Sequence, residues 1–233
     1  MPLAFITGGS RGLGFETARQ LRDRGFDLVL FAKDTDRLSH ASKQLGAKYE
    51  LFDAENAAST QNAFSAALKN HGTPDVLVLA HGVMSARDAK TIKTTESEWR
   101  RVLSINLDSV FYIVSLIGKE MVEQRSGRII IYSACLGRMS GPGNAGGLAP
   151  YRISKAGVNA LTRNFAHESN HGQRGVLIDA VCPNHTQTDM GGPNAPRTVP
   201  EGAACAVWLA TRAFDPTHDK TGLLWEDNEV IPW

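Results

Sequence analysis

The chain has 233 residues, of which 42% are hydrophobic and 21% are charged, which is enough for one α/β domain with a full core. The formal net charge of +1 argues against nucleic acid or an anionic membrane as a general partner. The cysteines are odd in number and far apart, which argues against a disulfide framework and a metal site. Apolar runs are shorter than the roughly 18 residues of a membrane span, and a strand from about Leu3 leaves no room for a signal peptide. We therefore expect a cytoplasmic protein.

Short apolar runs alternate with helical stretches along the chain. The runs are rich in Val, Ile and Leu, which is typical of parallel strands buried on both faces. We therefore predict a single α/β domain over residues 1–233, with a doubly wound parallel sheet of about seven strands in three α/β/α layers. The predicted strands are "LAFIT", "FDLVLFA", "KYELFD", "DVLVLA", "GRIIIYS", "GVLIDAVCP" and "TGLLWED". The predicted helices cover Leu13–Arg24, Asp36–Leu45, Ala57–Asn70, Glu96–Gln124, a segment that opens at Tyr151, and Glu201–Thr211.

The segment "TGGSRGLG" lies between the first strand and the first helix. Gly8, Gly12 and Gly14 would let the backbone turn tightly and approach a pyrophosphate, while the helix N-terminus supplies free N–H groups and a partial positive charge. We therefore predict a Rossmann-type domain that binds a dinucleotide. The alternative is a plain strand–helix turn.

The second strand decides between the two nicotinamide dinucleotides. An NAD site usually carries an acid at the end of this strand to hold the ribose 2′-OH, whereas this chain has Ala32 and Lys33 there and Arg11 inside the glycine turn. The two cations favour a 2′-phosphate, and hence NADP(H) over NAD. Asp34 would act as the acid if the strand ended later. Asp53 is expected either to meet the adenine or to cap a helix.

Two further segments predict the chemistry. "GRIIIYSACLG" reads as a buried strand that ends near a glycine, and "PYRISKAG" places Tyr151 and Lys155 one turn apart on one helix face. A phenol has a pKa of about 10, and a nearby ammonium would lower it, making Tyr151 a usable acid or base. A hydroxyl partner is expected at the strand end, where the residue is Ala134.

In chain order, "TGGSRGLG", "INLDSVF", "GRIIIYS", "YRISKAGVNALT" and "VCPNHTQTDM" resemble the short-chain dehydrogenase/reductase family in its single-domain branch. The ending "TDMGGPNAPRTVPEGA…VIPW" is similar to the subgroup of C-factor and sniffer-type carbonyl reductases. The resemblance implies NAD(P)-dependent reduction of a carbonyl or oxidation of an alcohol. Family members often pair through their long helices, here around Ser97–Gln124 and Tyr151–Asn170, which implies a homodimer or homotetramer.

The resemblance also implies roles for individual residues. Tyr151 would donate the proton, and Lys155 would hold the nicotinamide ribose and lower the tyrosine pKa. Asn106 would fix a helix distortion and a water of the proton relay, and Thr188 would lie beside the carboxamide. The candidate catalytic residues are Tyr151, Lys155, Asn106 and Ser133. The candidate cofactor residues are Gly8, Ser10, Arg11, Gly12, Leu13, Gly14, Lys33, Asp53, Ala80, Gly82, Tyr151, Lys155, Pro183 and Thr188.

One departure from the family pattern falls on the catalytic serine. The family's strand ends Ser-Ser, and the second serine is catalytic, whereas this chain has Ser133-Ala134. Neighbouring strand side chains face opposite sides, so Ser133 should point away from the cofactor unless a bulge re-aims it. Loss of one preorganised oxyanion donor typically costs about 10²–10³ in rate. Ser140, in a long insert over Arg138–Ala149, is a candidate substitute.

Two further departures place histidines near the cleft. The family's "NNAG" is "LAHG" here, with His81, and its Pro-Gly is Pro183-Asn184, followed by His185. Asn184 tolerates the left-handed conformation of a glycine. Both histidines are candidates for polar contacts or proton transfer, or else for ordinary pocket-wall or surface positions. The candidate substrate residues are His81, Ala134, His185 and Met190. Met84, Met139 and Met190 are otherwise expected to fill the core.

The segment Thr186–Gly202, "TQTDMGGPNAPRTVPEG", is predicted to be a loop that covers the substrate. Three functions remain open at this point. The first is NADPH-dependent reduction of a small carbonyl or enone with Tyr151 as proton donor. The second is a non-redox biosynthetic enzyme, such as a cyclase, isomerase or dehydratase, on the same scaffold. The third is a module that binds NADP(H) without turnover.

Overall fold

The computed structural model describes residues 1–86, 89–141, 145–215 and 217–233. In the described chain, eight strands form one sheet in the order β3-β2-β1-β4-β5-β6-β7-β8. All neighbouring strands are parallel except the last pair, β7 and β8. The strands are β1 (Leu3–Thr7), β2 (Asp27–Ala32), β3 (Lys48–Leu51), β4 (Val76–Leu79), β5 (Gly127–Tyr132), β6 (Val176–Val181), β7 (Leu224–Glu226) and β8 (Glu229–Ile231).

The eighth strand adds one to the number that the sequence predicted. β7 and β8 form a hairpin in which Asp227 and Asn228 both take positive φ, at 53° and 65°. Asp and Asn tolerate this conformation and favour tight hairpin turns. The Asp-Asn pair was therefore the local signal for this hairpin.

Helices cover both faces of the sheet, as predicted. Leu21, Leu38 and Leu209 belong to the core on one face, while Phe64 and Ile117 belong to the core on the other. This gives three α/β/α layers around a fully buried sheet centre. The helices are α1 (Gly12–Arg22), α2 (Thr35–Leu45), α3 (Ala57–His71), α4 (Glu96–Leu103), α5 (Ser109–Gln124), α6 (Ala149–Glu168) and α7 (Val199–Thr211).

α4 and α5 are joined by one π turn, Ser104–Asp108, within the long helical segment that the sequence predicted. The run Glu96–Gln124 has the length and apolar composition of a helix that could cross a membrane. In this fold, however, Ile113, Ile117 and Met121 of α5 are buried in the core. The hydropathy of this run therefore reflects packing against the sheet.

The strand order reverses beside β1, which pairs with β2 on one side and with β4 on the other. The loops that leave the carboxyl ends of β1 and β4 diverge at such a point, and ligands of doubly wound folds bind in the resulting crevice. The topology therefore places the glycine turn, which follows β1, at the ligand-binding edge of the sheet.

Candidate active site

A cleft of about 910 Å³ opens at this edge, between the glycine turn and α6. Its lining includes every residue that the sequence proposed for cofactor binding, from the first to the sixth strand end. Ser133, His81 and Met190 also line it, whereas Asn106, Ala134 and His185 are not among its lining residues. The cofactor residues that line the cleft are Gly8, Ser10, Arg11, Gly12, Leu13, Gly14, Lys33, Asp53, Ala80, Gly82, Tyr151, Lys155, Pro183 and Thr188.

The glycine turn has room only for backbone. A Cβ atom on Gly14 would lie 2.4 Å from the Gly8 carbonyl oxygen, and Gly8 itself has a φ of 64°. No side chain caps the N-terminus of α1 among the described residues, whereas α2, α3, α4 and α7 are each capped by a side-chain oxygen. The free N–H groups and the partial positive charge of α1 therefore fit a pyrophosphate.

Both cations predicted for the 2′-phosphate have carboxylate partners. Lys33 Nζ lies 2.7 Å from Asp53 Oδ2, and Arg11 pairs with Asp189 on the opposite side of the cleft. Asp53 also accepts a hydrogen bond from the Glu55 amide. These pairs hold both side chains at the cleft edge and satisfy Asp53 with local partners.

Asp34 does not extend the second strand, which ends at Ala32. Its carboxylate caps α2 by accepting a hydrogen bond from the Arg37 amide at 3.0 Å. Arg37 lines the cleft beside Lys33, and sequence reasoning missed it. The signal was present, because a capping Asp three residues before Arg37 places that arginine in the first helical turn, next to the strand end.

Tyr151 and Lys155 lie in the first two turns of α6, which opens at Ala149 rather than at Tyr151. Lys155 Nζ donates to the Tyr132 carbonyl at 2.7 Å and lies 5.9 Å from the Tyr151 ring centroid. The Tyr151 amide donates to Ser85 Oγ at 2.8 Å, a contact that sequence reasoning also missed. The phenol and the ammonium therefore face the cleft as a pair held by α6 and β5.

The electrostatics of this pair differ from the sequence expectation. Burial raises the pKa of Tyr151, and the Cys182 and Cys135 thiols raise it further. Burial also lowers the pKa of Lys155 to about 8. The expected fall in the tyrosine pKa is therefore wrong for the chain alone, because burial deprives the phenolate of hydration.

Asn106 lies in the π turn. Its Oδ1 accepts from the Val83 amide at 2.8 Å, and its Nδ2 donates to the Val83 carbonyl at 2.9 Å and to Ser154 Oγ at 3.1 Å. A Cβ on Gly82 would lie 3.3 Å from Asn106 Oδ1 and 3.6 Å from Lys155 Nζ. Asn106 thus ties the segment after β4 to α6, just behind Lys155.

The model of the short-chain dehydrogenase family matches residues 2–198, most of this chain. The chain belongs to the short-chain dehydrogenase family. This membership places it among oxidoreductases.

Curated relatives of this short-chain dehydrogenase include 3-oxoacyl-(acyl-carrier-protein) reductase FabG of Escherichia coli (strain K12). It is 31% identical over 190 residues, which cover 81% of this chain and 75% of the relative. The corresponding protein of Vibrio cholerae serotype O1 is 33% identical over 190 residues, with the same coverage.

Solved structures show the same likeness over nearly the whole chain. Levodione reductase matches with a TM-score of 0.84 and 25% identity, covering 97% of this chain and 95% of that one. Ribose-5-phosphate isomerase from Brucella melitensis 16M matches with a TM-score of 0.84 and 26% identity, covering 97% and 90%.

The chain departs most clearly from the short-chain dehydrogenase pattern at the end of β5, where Ala134 stands in place of the family's serine. Although Ser133 lines the cleft, its hydroxyl donates to Asn159 Oδ1 on α6 at 2.5 Å and is not free for a ligand. Ala134 is 9% exposed. Ser140 is not a substitute, because its hydroxyl donates to the Trp233 carbonyl at 3.1 Å. Neither serine therefore presents a free hydroxyl to the cleft.

His81 occupies a structural position. Its Nδ1 lies 2.6 Å from Thr7 Oγ1, and its Nε2 lies 2.7 Å from Ser109 Oγ. Because Ser109 donates to the Ile105 carbonyl, its oxygen accepts the Nε2 proton. Burial and the nearby Lys155 ammonium lower the pKa of His81 to about 3. A neutral imidazole with both nitrogens engaged links β1 to α5, which favours the pocket-wall interpretation of His81 over proton transfer.

His185, which was predicted as a substrate residue, is not among the residues that line the cleft. Its ring is exposed, and Nε2 contacts the Gly191 carbonyl at 2.8 Å. The preceding Asn184 has a φ of 57°, as predicted for a residue at a glycine position.

Met190 lines the cleft and is 44% exposed, whereas Met139 is 76% exposed and is not part of the core. The insert that contains Met139 lies partly outside the described residues.

The predicted covering segment Thr186–Gly202 is part loop and part helix. Gln187 and Arg197 pair through the backbone at 2.8 Å, and Arg197 forms a two-bond ion pair with Asp227. Thr198 and Glu201 form a capping box that starts α7 at Val199. The Thr-x-x-Glu spacing is the usual signal for such a start, and sequence reasoning passed over it.

Proposed function

We propose that this protein is an NADPH-dependent reductase of small carbonyl compounds or enones, with Tyr151 as proton donor. The observation that carries the proposal is the position of Tyr151 and Lys155 on the same cleft as the glycine turn at the uncapped N-terminus of α1. A bound nicotinamide cofactor would supply the hydride. The chain supplies binding, orientation and the proton.

In the chain alone the raised pKa of Tyr151 keeps the phenol protonated across neutral pH, so the proton to be donated is present. It also makes the phenol a weaker acid than one whose pKa lies near the operating pH, so the proposal requires that the bound cofactor and Lys155 lower this pKa. Lys155 would orient the ribose and would return a proton to Tyr151 after Tyr151 has donated its own. That proton would arrive from the side of Asn106, which lies in the π turn. The two elements that hold these groups, α6 and the π turn, are tied together through Asn106 and Ser154.

The preference for NADPH over NADH rests on charge at the ribose end of the cleft. Lys33, Arg37 and Arg11 line it. Each of them pairs with a carboxylate, of Asp53, Asp34 and Asp189 in turn, and Asp34 also caps α2. A 2′-phosphate offers these cations a stronger acceptor than a ribose hydroxyl does. Dissociation constants for NADPH and NADH test this, and we expect NADPH to bind at least about tenfold more tightly.

The carbonyl substrate is supported by the relatives. FabG is named for reduction of 3-oxoacyl groups and levodione reductase for reduction of a dione. The C-terminal resemblance to C-factor and sniffer-type carbonyl reductases points the same way. We further propose a cytoplasmic homodimer or homotetramer.

The test is consumption of NADPH in the presence of a panel of aldehydes, ketones and enones. Turnover that Tyr151→Phe abolishes, with NADPH binding retained, is the expected result. Tight NADPH binding without consumption across the panel would overturn the proposal and leave an NADP(H)-binding module.

The second candidate is a non-redox enzyme, and Ala134 is the observation that favours it. With the Ser133 hydroxyl bound to Asn159 on α6, one donor to the developing oxyanion is missing, a loss of about 10²–10³ in rate. The variant Ala134→Ser distinguishes the reductase from the non-redox enzyme. A large rise in reductase rate on restoring the serine favours a chain that is specialised for a non-redox reaction. An unchanged rate means that another group already donates to the developing oxyanion.

A further inference from the structure

Two cysteines meet at the ends of neighbouring strands. β5 and β6 pair with Tyr132 opposite Val181; Cys182 follows β6 directly, and Cys135 opens the short 3₁₀ turn Cys135–Gly137 after β5. Cys135 packs against the small apolar cluster that contains Cys182. Ile231 and Trp233 flank the same cluster.

The two members of the pair differ in access. Cys182 is 1% exposed, whereas Cys135 is partly exposed. The neighbouring Cys182 thiol and the Arg138 guanidinium lower the pKa of Cys135, while the Cys135 sulfur and burial raise the pKa of Cys182. The more accessible sulfur is therefore the one from which a peroxide is attacked, and the buried thiol is placed to resolve the product.

The turn that carries Cys135 packs closely against α6, the helix that carries Tyr151 and Lys155. A Cβ on Gly137 would lie 2.7 Å from the Lys155 carbonyl carbon, and Asn159 Nδ2 donates to the Gly137 carbonyl at 3.3 Å. The turn therefore packs directly against α6. A covalent change at Cys135 that moved the turn would also displace the backbone at Lys155.

We propose that Cys135 and Cys182 form a thiol modification site that hydrogen peroxide oxidises to an intramolecular disulfide. The Cys135 thiolate attacks the peroxide, the O–O bond breaks, and Cys135 becomes a sulfenic acid with release of hydroxide. The Cys182 thiol then attacks the sulfenic sulfur, the S–S bond forms and water leaves. The two thiols are oxidised and the peroxide is reduced to water, and a dithiol reductant restores the pair.

The test uses the full chain, reduced and then treated with hydrogen peroxide. After denaturation, free thiols are alkylated and the intact mass is measured. We expect alkylation to fall from three sites to one, to recover after dithiothreitol, and to leave a cross-linked Cys135–Cys182 peptide. Cys205→Ser is the matched control and should still lose two sites. Cys135→Ala should lose none, and Cys182→Ala, in which no thiol resolves the Cys135 sulfenic acid, should lose at most one and form no cross-link.

Three outcomes would contradict the proposed disulfide. Three alkylatable thiols after peroxide, a cross-link to Cys205 or to a second chain, or irreversible oxidation of Cys135 alone would each overturn the proposal. The circular dichroism melting curve of each variant shows whether it is folded. If Cys182→Ala does not fold, the wild-type peptide map still decides the matter. None of these readouts depends on reductase activity, so the two proposals fail separately.

Discussion

Lys155 places an ammonium group inside the protein, where it is 5% exposed and donates to one carbonyl. Burial of a charge with a single neutral partner destabilises the folded state. The pKa of about 8 expresses the same effect. At the residue scale, the fold therefore holds the Lys155 ammonium beside Tyr151 in spite of the hydration that the ammonium loses.

Lys155→Met should raise the free energy of unfolding near neutral pH by roughly 1–3 kcal/mol, because it removes a buried charge and keeps the volume. It should also abolish the proposed reductase activity. Between about pH 8 and 10.5 the unfolded chain holds the lysine proton and the folded chain does not, so wild-type stability should rise with pH there. The variant should lack that rise.

Urea denaturation at several pH values measures both effects. Lys69→Met, at an exposed position, is the matched control and should leave stability nearly unchanged. A Lys155→Met protein that is less stable than wild type at neutral pH would show that the ammonium stabilises the fold.

His81 predicts an acid-dependent loss of stability. Its folded pKa of about 3 lies below its ordinary value of 6.5, so the unfolded chain binds the proton first as pH falls. Stability should therefore decline from about pH 6.5 down to 3. His81→Asn should be less stable at neutral pH and show a flatter decline, measured as melting temperature against pH. His40→Asn, at an exposed position, should retain the wild-type slope; a parallel slope in His81→Asn would refute the assignment.

At the scale of single elements, the π turn Ser104–Asp108 and the 3₁₀ turn Cys135–Gly137 both bear on α6. The first does so through the Asn106–Ser154 hydrogen bond, and the second does so through close packing of Gly137 against Lys155. Neither turn is a regular α-helix, and each of them fixes the distance between its own segment and α6. Irregular turns of this kind often mark functional sites.

Gly137→Ala should destabilise the fold by roughly 1–3 kcal/mol, because the new methyl group has no space against α6. It should also lower reductase kcat, since the turn and Lys155 must separate. Gly146→Ala is the control, because a Cβ there meets nothing within 4 Å. Chemical denaturation and steady-state kinetics measure the two effects, and equal behaviour of the two variants would contradict the packing argument.

At the scale of the whole molecule, apolar side chains remain exposed on two long helices. Phe111 on α5 is 50% exposed, and Ile153 on α6 is 45% exposed. These are the helices through which the family resemblance predicts pairing. A second copy of the chain would remove both side chains from water.

Phe111→Glu should shift the protein toward monomer, because a carboxylate in a packed interface lacks a partner. Light scattering coupled to size-exclusion chromatography measures the mass. Leu51→Glu is the control, since Leu51 is 46% exposed on β3 at the sheet edge. A wild-type protein that is monomeric at micromolar concentration would contradict the predicted homo-oligomer.

Strand and helix order, the dinucleotide-type crevice and the residues along it were predictable from sequence, because buried parallel strands, glycine turns and i, i+4 pairs leave local patterns. The contact of Ser85 with Tyr151 is of another kind, because it depends on where a short segment lies relative to a distant one. The Asp-Asn hairpin, Arg37 and the capping box at Thr198 were also missed, although they carried readable local signals.

The amino-acid sequence alone determined the α/β layering, the family and the substitution of Ala134 for the expected serine, since each of these is written in neighbouring residues. Only the tertiary structure decided which charges are paired, that His81 is a neutral link between β1 and α5, and that Cys135 meets Cys182. Protonation and pairing depend on burial and on partners far away in the chain, and those are set when the chain packs.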